Sequence, residues 1–156
     1  MRLGDISTTG DNEGEKTHIS DEIPTETALK KTISSFRKTY HQVPPAYSAI
    51  KINGKRAYSL ARQGVDIKLQ PRKITVHSID FAQYTYPEVT FTATVSSGTY
   101  IRSLVEDIGQ KIGTGAYTVA LRRITVGDFN LTNAVSPADI SSEDIEQALV
   151  QQGTVC

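Results

Sequence analysis

Cysteine is nearly missing. The 156-residue chain has one, Cys156, at its last position. No disulfide can form within a single chain, which fits a reducing compartment. Long apolar runs are missing too. Nothing approaches a membrane span, and Met1-Arg2-Leu3-Gly4-Asp5 has no apolar signal region, so the expected address is the cytoplasm with no membrane partner. No pair of histidines stands at metal spacing and there is no second cysteine, so no metal site is expected. No glycine-rich loop carries a P-loop lysine, and no G-x-S-x-G elbow is present. Repeats and low-complexity segments are likewise absent. Net charge is also lacking, at +0, which on its face argues against a nucleic-acid partner. What remains is a chain with 38% hydrophobic residues and mean hydropathy -0.30. That is enough for one globular domain with a real core.

The charge is segregated, and this reopens the question of a polyanion. From Lys51 to Lys73 stand seven basic residues (Lys51, Lys55, Arg56, Arg62, Lys68, Arg72, Lys73) against one acid, Asp66. From Met1 to Glu26 stand seven acids against Arg2 and Lys16. A segregated basic segment either grips phosphates on a neutral protein or forms a solvated face. Two tyrosines, Tyr47 and Tyr58, lie among these cations. Aromatic faces beside Lys and Arg suit looped or single-stranded RNA, where bases stack and phosphates pair.

The organising stretch is Ser96-Ser97-Gly98-Thr99-Tyr100-Ile101-Arg102-Ser103. Before it, Val89, Phe91, Ala93 and Val95 alternate with Thr90, Thr92 and Thr94, which predicts a strand with one buried face. After it, Ile101, Leu104, Val105, Ile108 and Ile112 recur at three and four, which predicts an amphipathic helix. Gly98 permits the turn between them, and Ser97 or Thr99 can cap the helix. Arg102 then falls in the first turn, where the helix end is already positive. Either it is a surface arginine, or it is held there to meet a carboxylate or a phosphate.

The rest of the chain reads as follows. Arg2–Ile6 is a possible strand without a preceding partner, and Thr8–Glu15 is a flexible acidic loop that fails the EF-hand pattern. Pro24-Thr25-Glu26 opens a helix burying Leu29, Ile33 and Phe36, with Lys30, Lys31, Arg37 and Lys38 elsewhere or near its end. His41–Pro45 is a helix stop and extended linker, with His41 structural or solvated. Asn53-Gly54 makes a turn, and Arg56–Gln63 a short helix ended by Gly64. Ile74–Phe81 is a strand whose apolar parity shifts between Val76 and Ile79, which predicts a bulge or a new strand. After a turn at Tyr86-Pro87-Glu88 it should pair antiparallel with the strand at 89–95. Gly113-Thr114-Gly115 ends the central helix. Tyr117–Val126 reads as a long strand, with one of Arg122 and Arg123 pointing inward. Ser136-Pro137-Ala138-Asp139 starts a last helix, with Ala148, Leu149 and Val150 to pack and a frayed tail. The expected fold class is α+β, a mixed, mainly antiparallel sheet flanked by helices, with residues 1–135 as one domain and 136–156 as a C-terminal helix and tail.

Several strings resemble the bacterial tRNA pseudouridine-55 synthase (TruB) family. They are Pro45-Ala46-Tyr47-Ser48-Ala49-Ile50-Lys51-Ile52-Asn53-Gly54-Lys55-Arg56-Ala57-Tyr58, Ala61-Arg62-Gln63-Gly64, Gly98-Thr99-Tyr100-Ile101-Arg102-Ser103, Asp107-Ile108-Gly109, Gly115-Ala116 and Leu121-Arg122-Arg123. Their order and spacing match, from about Leu3 to about Pro137. The resemblance implies a partial pseudouridine synthase-like fold and an isomerase. The uridine in the tRNA T-loop is flipped out, its N1–C1′ bond is broken, and the link is remade through C5 without cofactor or metal. It implies that Arg102 orients a catalytic aspartate, that Tyr100 and Leu121 line the uracil pocket, and that residues 51–73 form an RNA-binding insert. The RNA-binding residues would be Tyr47, Lys51, Lys55, Arg56, Tyr58 and Arg62, and the partner the T-stem-loop of tRNA.

The family's catalytic aspartate lies in a Gly-x-x-Asp-Pro motif, and this sequence has no Asp-Pro dipeptide. Met1 therefore reads as falling inside the family's catalytic domain. No role is assigned to Asp5 or Asp11. Arg102 is expected to lack its carboxylate within the chain. It should then cost roughly 3–5 kcal/mol if buried alone, unless it faces water or is met by another chain. An open sheet edge is expected as well. The chain is read as a synthase fragment, inactive alone. The alternative is a non-catalytic RNA-binding module of the same fold.

Overall fold

A computed structural model of the chain describes residues 1–52, 54–65, 67, 69–136 and 138. The elements, in order, are strands β1 (Arg2–Leu3), β2 (Asp5–Ser7) and β3 (Lys16–His18), helix α1 (Glu26–Ser34), strands β4 (Thr39–Gln42), β5 (Lys51–Ile52) and β6 (Lys55–Arg56), helix α2 (Ala57–Ala61), strands β7 (Arg72–Thr85) and β8 (Glu88–Val95), helix α3 (Ile101–Ile112), and strands β9 (Ala116–Tyr117), β10 (Thr125–Val126) and β11 (Phe129–Asn130). The chain separates into two units, Met1–Ala120 and Leu121–Cys156.

The first unit is built on a five-stranded antiparallel sheet in the order β4-β7-β8-β1-β9. The long pair β7–β8 is its spine. Threonines 90, 92 and 94 face solvent while Val89 is buried, as the alternation in β8 requires. The parity change in β7 is a bulge, since the register slips between Val76 and Ser78. That slip lets Ile74, Val76 and Ile79 all reach the same core.

Helices α1 and α3 contact each other and the sheet. Thr25 caps α1 by accepting the Ala28 N–H at 3.2 Å. Leu29 and Ile33 of α1 meet Leu104, Val105 and Ile108 of α3, with Leu3, Val89 and Ala116 beneath them. Truncating any of these fully buried leucines or isoleucines to alanine costs about 2–5 kcal/mol. Helix α3 ends at Gly113, whose φ of 92° is left-handed, as a C-terminal glycine cap needs.

Five expectations are corrected. His41 and Gln42, read with residues 43–45 as a helix stop and extended linker, end an edge strand, Thr39–Gln42, paired with Arg72–Thr75 of β7. Neither Ser97 nor Thr99 caps α3; its N-cap is Tyr100, held instead by a side chain from β4. Arg2–Ile6, read as one strand, is two, β1 and β2, interrupted at Gly4, and the loop at 8–15 closes a hairpin between β2 and β3. The strand expected over Tyr117–Val126 stops at Tyr117, because Thr118 turns away to donate its N–H to Gly10 O at 2.9 Å. Residues 120–124 have no regular structure, and Arg122 and Arg123 are both exposed, so neither points inward.

In the second unit, the described residues form a small hairpin of β10 and β11 and a 3-10 turn at Leu131–Asn133. Ile124, Val126, Phe129, Leu131 and Val135 are all exposed there. Asp66 and Lys68, Asn53 of the predicted turn, and the predicted C-terminal helix from Pro137 onward, lie outside the described residues, Ala138 apart.

Candidate functional site

The N-terminal end of α3 holds the site. Its entry is set by Gln42, the last residue of β4, which is 2% exposed. The Gln42 amide clamps the Tyr100 backbone from both sides: Oε1 accepts the Tyr100 N–H at 2.9 Å and Nε2 donates to Tyr100 O at 3.1 Å. Nε2 also reaches the Tyr40 hydroxyl at 3.3 Å, which in turn donates to Asp107 Oδ2 at 3.1 Å. Burial, the Asp107 charge and that hydrogen bond all push the Tyr40 phenol well up, so it stays protonated and remains a donor.

With Tyr100 fixed, Arg102 is aimed at two segments at once. Its Nη1 donates to Thr9 O at 2.8 Å and to Asp11 Oδ2 at 3.0 Å. Its Nη2 donates to Tyr47 O at 2.7 Å. The expectation that Arg102 has no carboxylate within this chain is therefore overturned, and the penalty for an unpaired guanidinium does not arise. The partner is Asp11, to which no role had been assigned. Nothing in local spacing could reveal it, because 91 residues separate the pair.

The hairpin loop is tied around that carboxylate. Ser7 Oγ donates to Asp11 O at 2.6 Å, while Thr9 Oγ1 and Glu13 N–H both donate to Asp11 Oδ1, at 2.5 and 3.1 Å. Burial works to raise the Asp11 carboxyl, but the bonds from Thr9 and Glu13 and the Arg102 charge outweigh it and hold it below its ordinary value.

A second carboxylate, Glu106, stands one helical turn beyond Arg102, against Gly10. Burial, then the Asp107 charge, pushes it up; Asp11 adds to the rise and Arg102 opposes it. A carboxyl with a raised folded pKa binds its proton more tightly folded than unfolded. Its ionisation therefore erodes stability as pH rises from its ordinary value of 4.5 through the folded value. Glu106→Gln is expected to raise the thermal midpoint at pH 7 and to leave it unchanged below about pH 4. Melting curves at the two pH values check this, and an unchanged or lower midpoint at pH 7 would refute it.

The remaining predicted residues divide by position. Tyr100 is half-buried at the start of α3. Tyr47 is half-buried and meets Arg102 through its carbonyl. It leads directly into the basic arm, a hairpin of β5 and β6 turned at Gly54, whose φ is 81°. Lys51, Lys55, Arg56 and Arg62 are all exposed on that arm. Lys51 and Arg56 are direct cross-strand partners, a like-charge pair that destabilises a hairpin. The Arg62 guanidinium lies 5.8 Å from the centre of the Tyr58 ring. Bonds to Ser59 and Arg56, and the Arg56 charge, hold the Tyr58 phenol below its ordinary value. Leu121 belongs to the second unit and is 62% exposed. Among the described residues no group of His, Cys, Asp and Glu is placed to hold a metal, and no helix is long and apolar enough to cross a membrane.

Comparison with known proteins decides the family. Residues 1–101 match the TruB family pseudouridylate synthase N-terminal domain, and residues 102–152 the tRNA pseudouridylate synthase B C-terminal domain. The chain belongs to the TruB family. It is 44% identical over 137 residues to tRNA pseudouridine synthase B of Nitrosococcus oceani, covering 86% of this chain and 44% of that protein. It is 39% identical over 150 residues to tRNA pseudouridine synthase B of Clostridium acetobutylicum, covering 96% of this chain and 52% of that one. A chain of the solved Cbf5-Nop10-Gar1 complex matches with a TM-score of 0.61 and 28% identity, over 78% of this chain and 32% of that one. The chain thus spans about half the length of the TruB relatives it matches. The α+β class expected for it stands: an antiparallel sheet with helices, shared with the chain from the Cbf5 complex.

Proposed function

We propose that this chain serves the isomerisation of uridine to pseudouridine in the T-loop of tRNA, in the cytoplasm. It supplies the arginine side of the site and the RNA-gripping arm, with residues 1–135 as a partial catalytic domain and 51–73 as its insert. The single observation that carries the reading is the position of Arg102. One guanidinium at the start of α3 is bonded at once to a carboxylate and to the root of a basic, tyrosine-bearing arm. Such a group can orient a further carboxylate while the arm holds the RNA strand.

In this reading Tyr100 lines the uracil pocket, Tyr47 and Tyr58 offer faces for stacking, and Lys51, Lys55, Arg56 and Arg62 meet phosphates. The like-charge pair Lys51–Arg56 supports the arm assignment, since its repulsion is relieved when a phosphate lies between the two side chains. The 156 residues hold no Asp-Pro dipeptide, and we infer that this polypeptide alone does not turn over.

The test uses the purified chain and a T-stem-loop RNA tritiated at uridine C5. Binding with a steep salt dependence and no tritium release at catalytic rates is expected. Lys55→Ala with Arg56→Ala is expected to weaken binding about tenfold near 0.1 M salt and to flatten the salt dependence. Turnover at catalytic rates would refute the inactivity, and unchanged affinity in the double variant would refute the arm. If the family's Gly-x-x-Asp-Pro segment, added as a second polypeptide, restores turnover, the synthase reading holds. If it does not, the chain is a non-catalytic RNA-binding module.

A further inference from the structure

The far end of α3 gathers a second set of cations that the arm does not include. Phe36, 6% exposed, packs edge-on against Tyr40 with ring centres 6.0 Å apart. Lys38, just beyond α1, and Lys111, in the last turn of α3, stand beside this pair, while Arg37 follows Phe36 directly and Lys31 lies in the last turn of α1; all four are exposed. Lys111 Nζ lies 5.2 Å from the Phe36 ring centre and donates to Ser35 Oγ at 2.6 Å. Lys38 Nζ lies 5.8 Å from the Phe36 centre and 5.9 Å from that of Tyr40. Arg37 Nε donates to His77 O at 3.1 Å.

The partners of these cations are neutral. Among the described residues none of the four is ion-paired, whereas Lys30, on the same helix, is bridged to Glu26. Asp107, one turn before Lys111, accepts from the Tyr40 hydroxyl instead. Ring faces, a hydroxyl and a carbonyl fix the positions of Arg37, Lys38 and Lys111 without cancelling their charge. Cations held in place this way lose little further entropy on meeting an anion, and they leave a field that only an outside anion neutralises.

We propose that Lys31, Arg37, Lys38 and Lys111 form a second contact for the RNA phosphate backbone. Lys111 stands nine residues along α3 from Arg102, about 13–14 Å at helical rise. The contact therefore grips a stretch of backbone away from the flipped base. It rests on RNA being the partner, as the preceding section proposes.

The experiment replaces the four residues together with Gln and measures affinity for tRNA across salt concentrations. Circular dichroism and the thermal midpoint confirm that the variant folds. Affinity is expected to fall at least about tenfold near 0.1 M salt, and the salt slope to shrink by about 3, at roughly 0.7–0.9 for each of the four phosphate contacts. Lys30→Gln, which removes a paired lysine, is the control and should bind as the unaltered chain does. Replacing Lys38 and Lys111 by Arg should preserve binding. An unchanged slope in the fourfold variant overturns the proposal, as does loss of binding to anionic lipid vesicles with tRNA binding intact. The arm variant Lys55→Ala with Arg56→Ala separates the two readings. If it weakens RNA binding and the fourfold variant does not, only the second contact fails. If the unaltered chain binds no RNA, both fall.

Discussion

Gly109→Ala is expected to lower the stability of the chain by about 3 kcal/mol or more, although alanine is the better helix former by about 1 kcal/mol. Gly109 is buried in α3 where the helix backbone lies against the turn into β9. Gly113 and Gly115 both donate their N–H groups to Gly109 O, each at 3.1 Å. A Cβ at 109 would run into the backbone at Gly115 and Ala116. Backbone cannot swing aside as a side-chain tip can, so the helix and strand must part. The displacement would also reach the site. Thr118, next after β9, is bonded to Gly10 in the loop that carries Asp11. The thermal midpoint should fall by about 10 °C or more, read by calorimetry or circular dichroism. A midpoint equal to or above that of the unaltered chain would show that the close approach is not required.

The central elements were legible because one period governs each. Alternation at 89–95 and the three–four repeat at 101–112 put apolar faces into the core, so the strand, the helix and the turn at Gly98 between them followed from the sequence, while the helix cap, held by Gln42 of β4, did not. The bulge in β7 was legible too, because an extra residue changes parity visibly at Val76 and Ile79. Residues 39–42 were not. The prolines at 44 and 45 dominate that neighbourhood, and a strand of four residues with a buried glutamine has no apolar alternation to show. What makes Gln42 essential is the Tyr100 backbone, 58 residues away. Asp11 was hidden for the same reason. Its loop looks solvated in sequence because its oxygens are polar, and only the folded chain reveals that they are satisfied by Ser7, Thr9, Glu13 and Arg102. The long strand expected after Tyr117 failed because a β-like composition does not supply a partner. The chain leaves the sheet at Thr118 to bond Gly10. Long-range polar contacts, which hold this site together, leave no periodic trace.

Arg102→Lys is expected to cost nearly as much as Arg102→Ala, about 2–4 kcal/mol, because geometry rather than charge is what the site uses. The guanidinium spans the hairpin loop and the arm root, with Nη1 on Thr9 O and Asp11 Oδ2 and Nη2 on Tyr47 O. A lysine ammonium is a single point and satisfies one side only. The other side is left with acceptors partly withdrawn from water. The Arg102 and Asp11 side chains are 23% and 27% exposed, so solvent recovers part of that loss and the figure stays below that of a fully buried pair. Asp11→Asn should be milder, since Thr9 O and Tyr47 O keep the arginine in place. The pH dependence distinguishes the pair. A carboxyl held below its ordinary value stabilises the fold above that value, and the contribution is lost as pH falls through the folded value. The unaltered chain should therefore hold its margin over Asp11→Asn from pH 7 down to the ordinary carboxyl value of 3.8 and begin to lose it as the pH falls further. Denaturant titrations of the three variants measure all of this. If Arg102→Lys unfolds at the same midpoint as the unaltered chain, the guanidinium does not bridge the two segments, and the arm is anchored by something else.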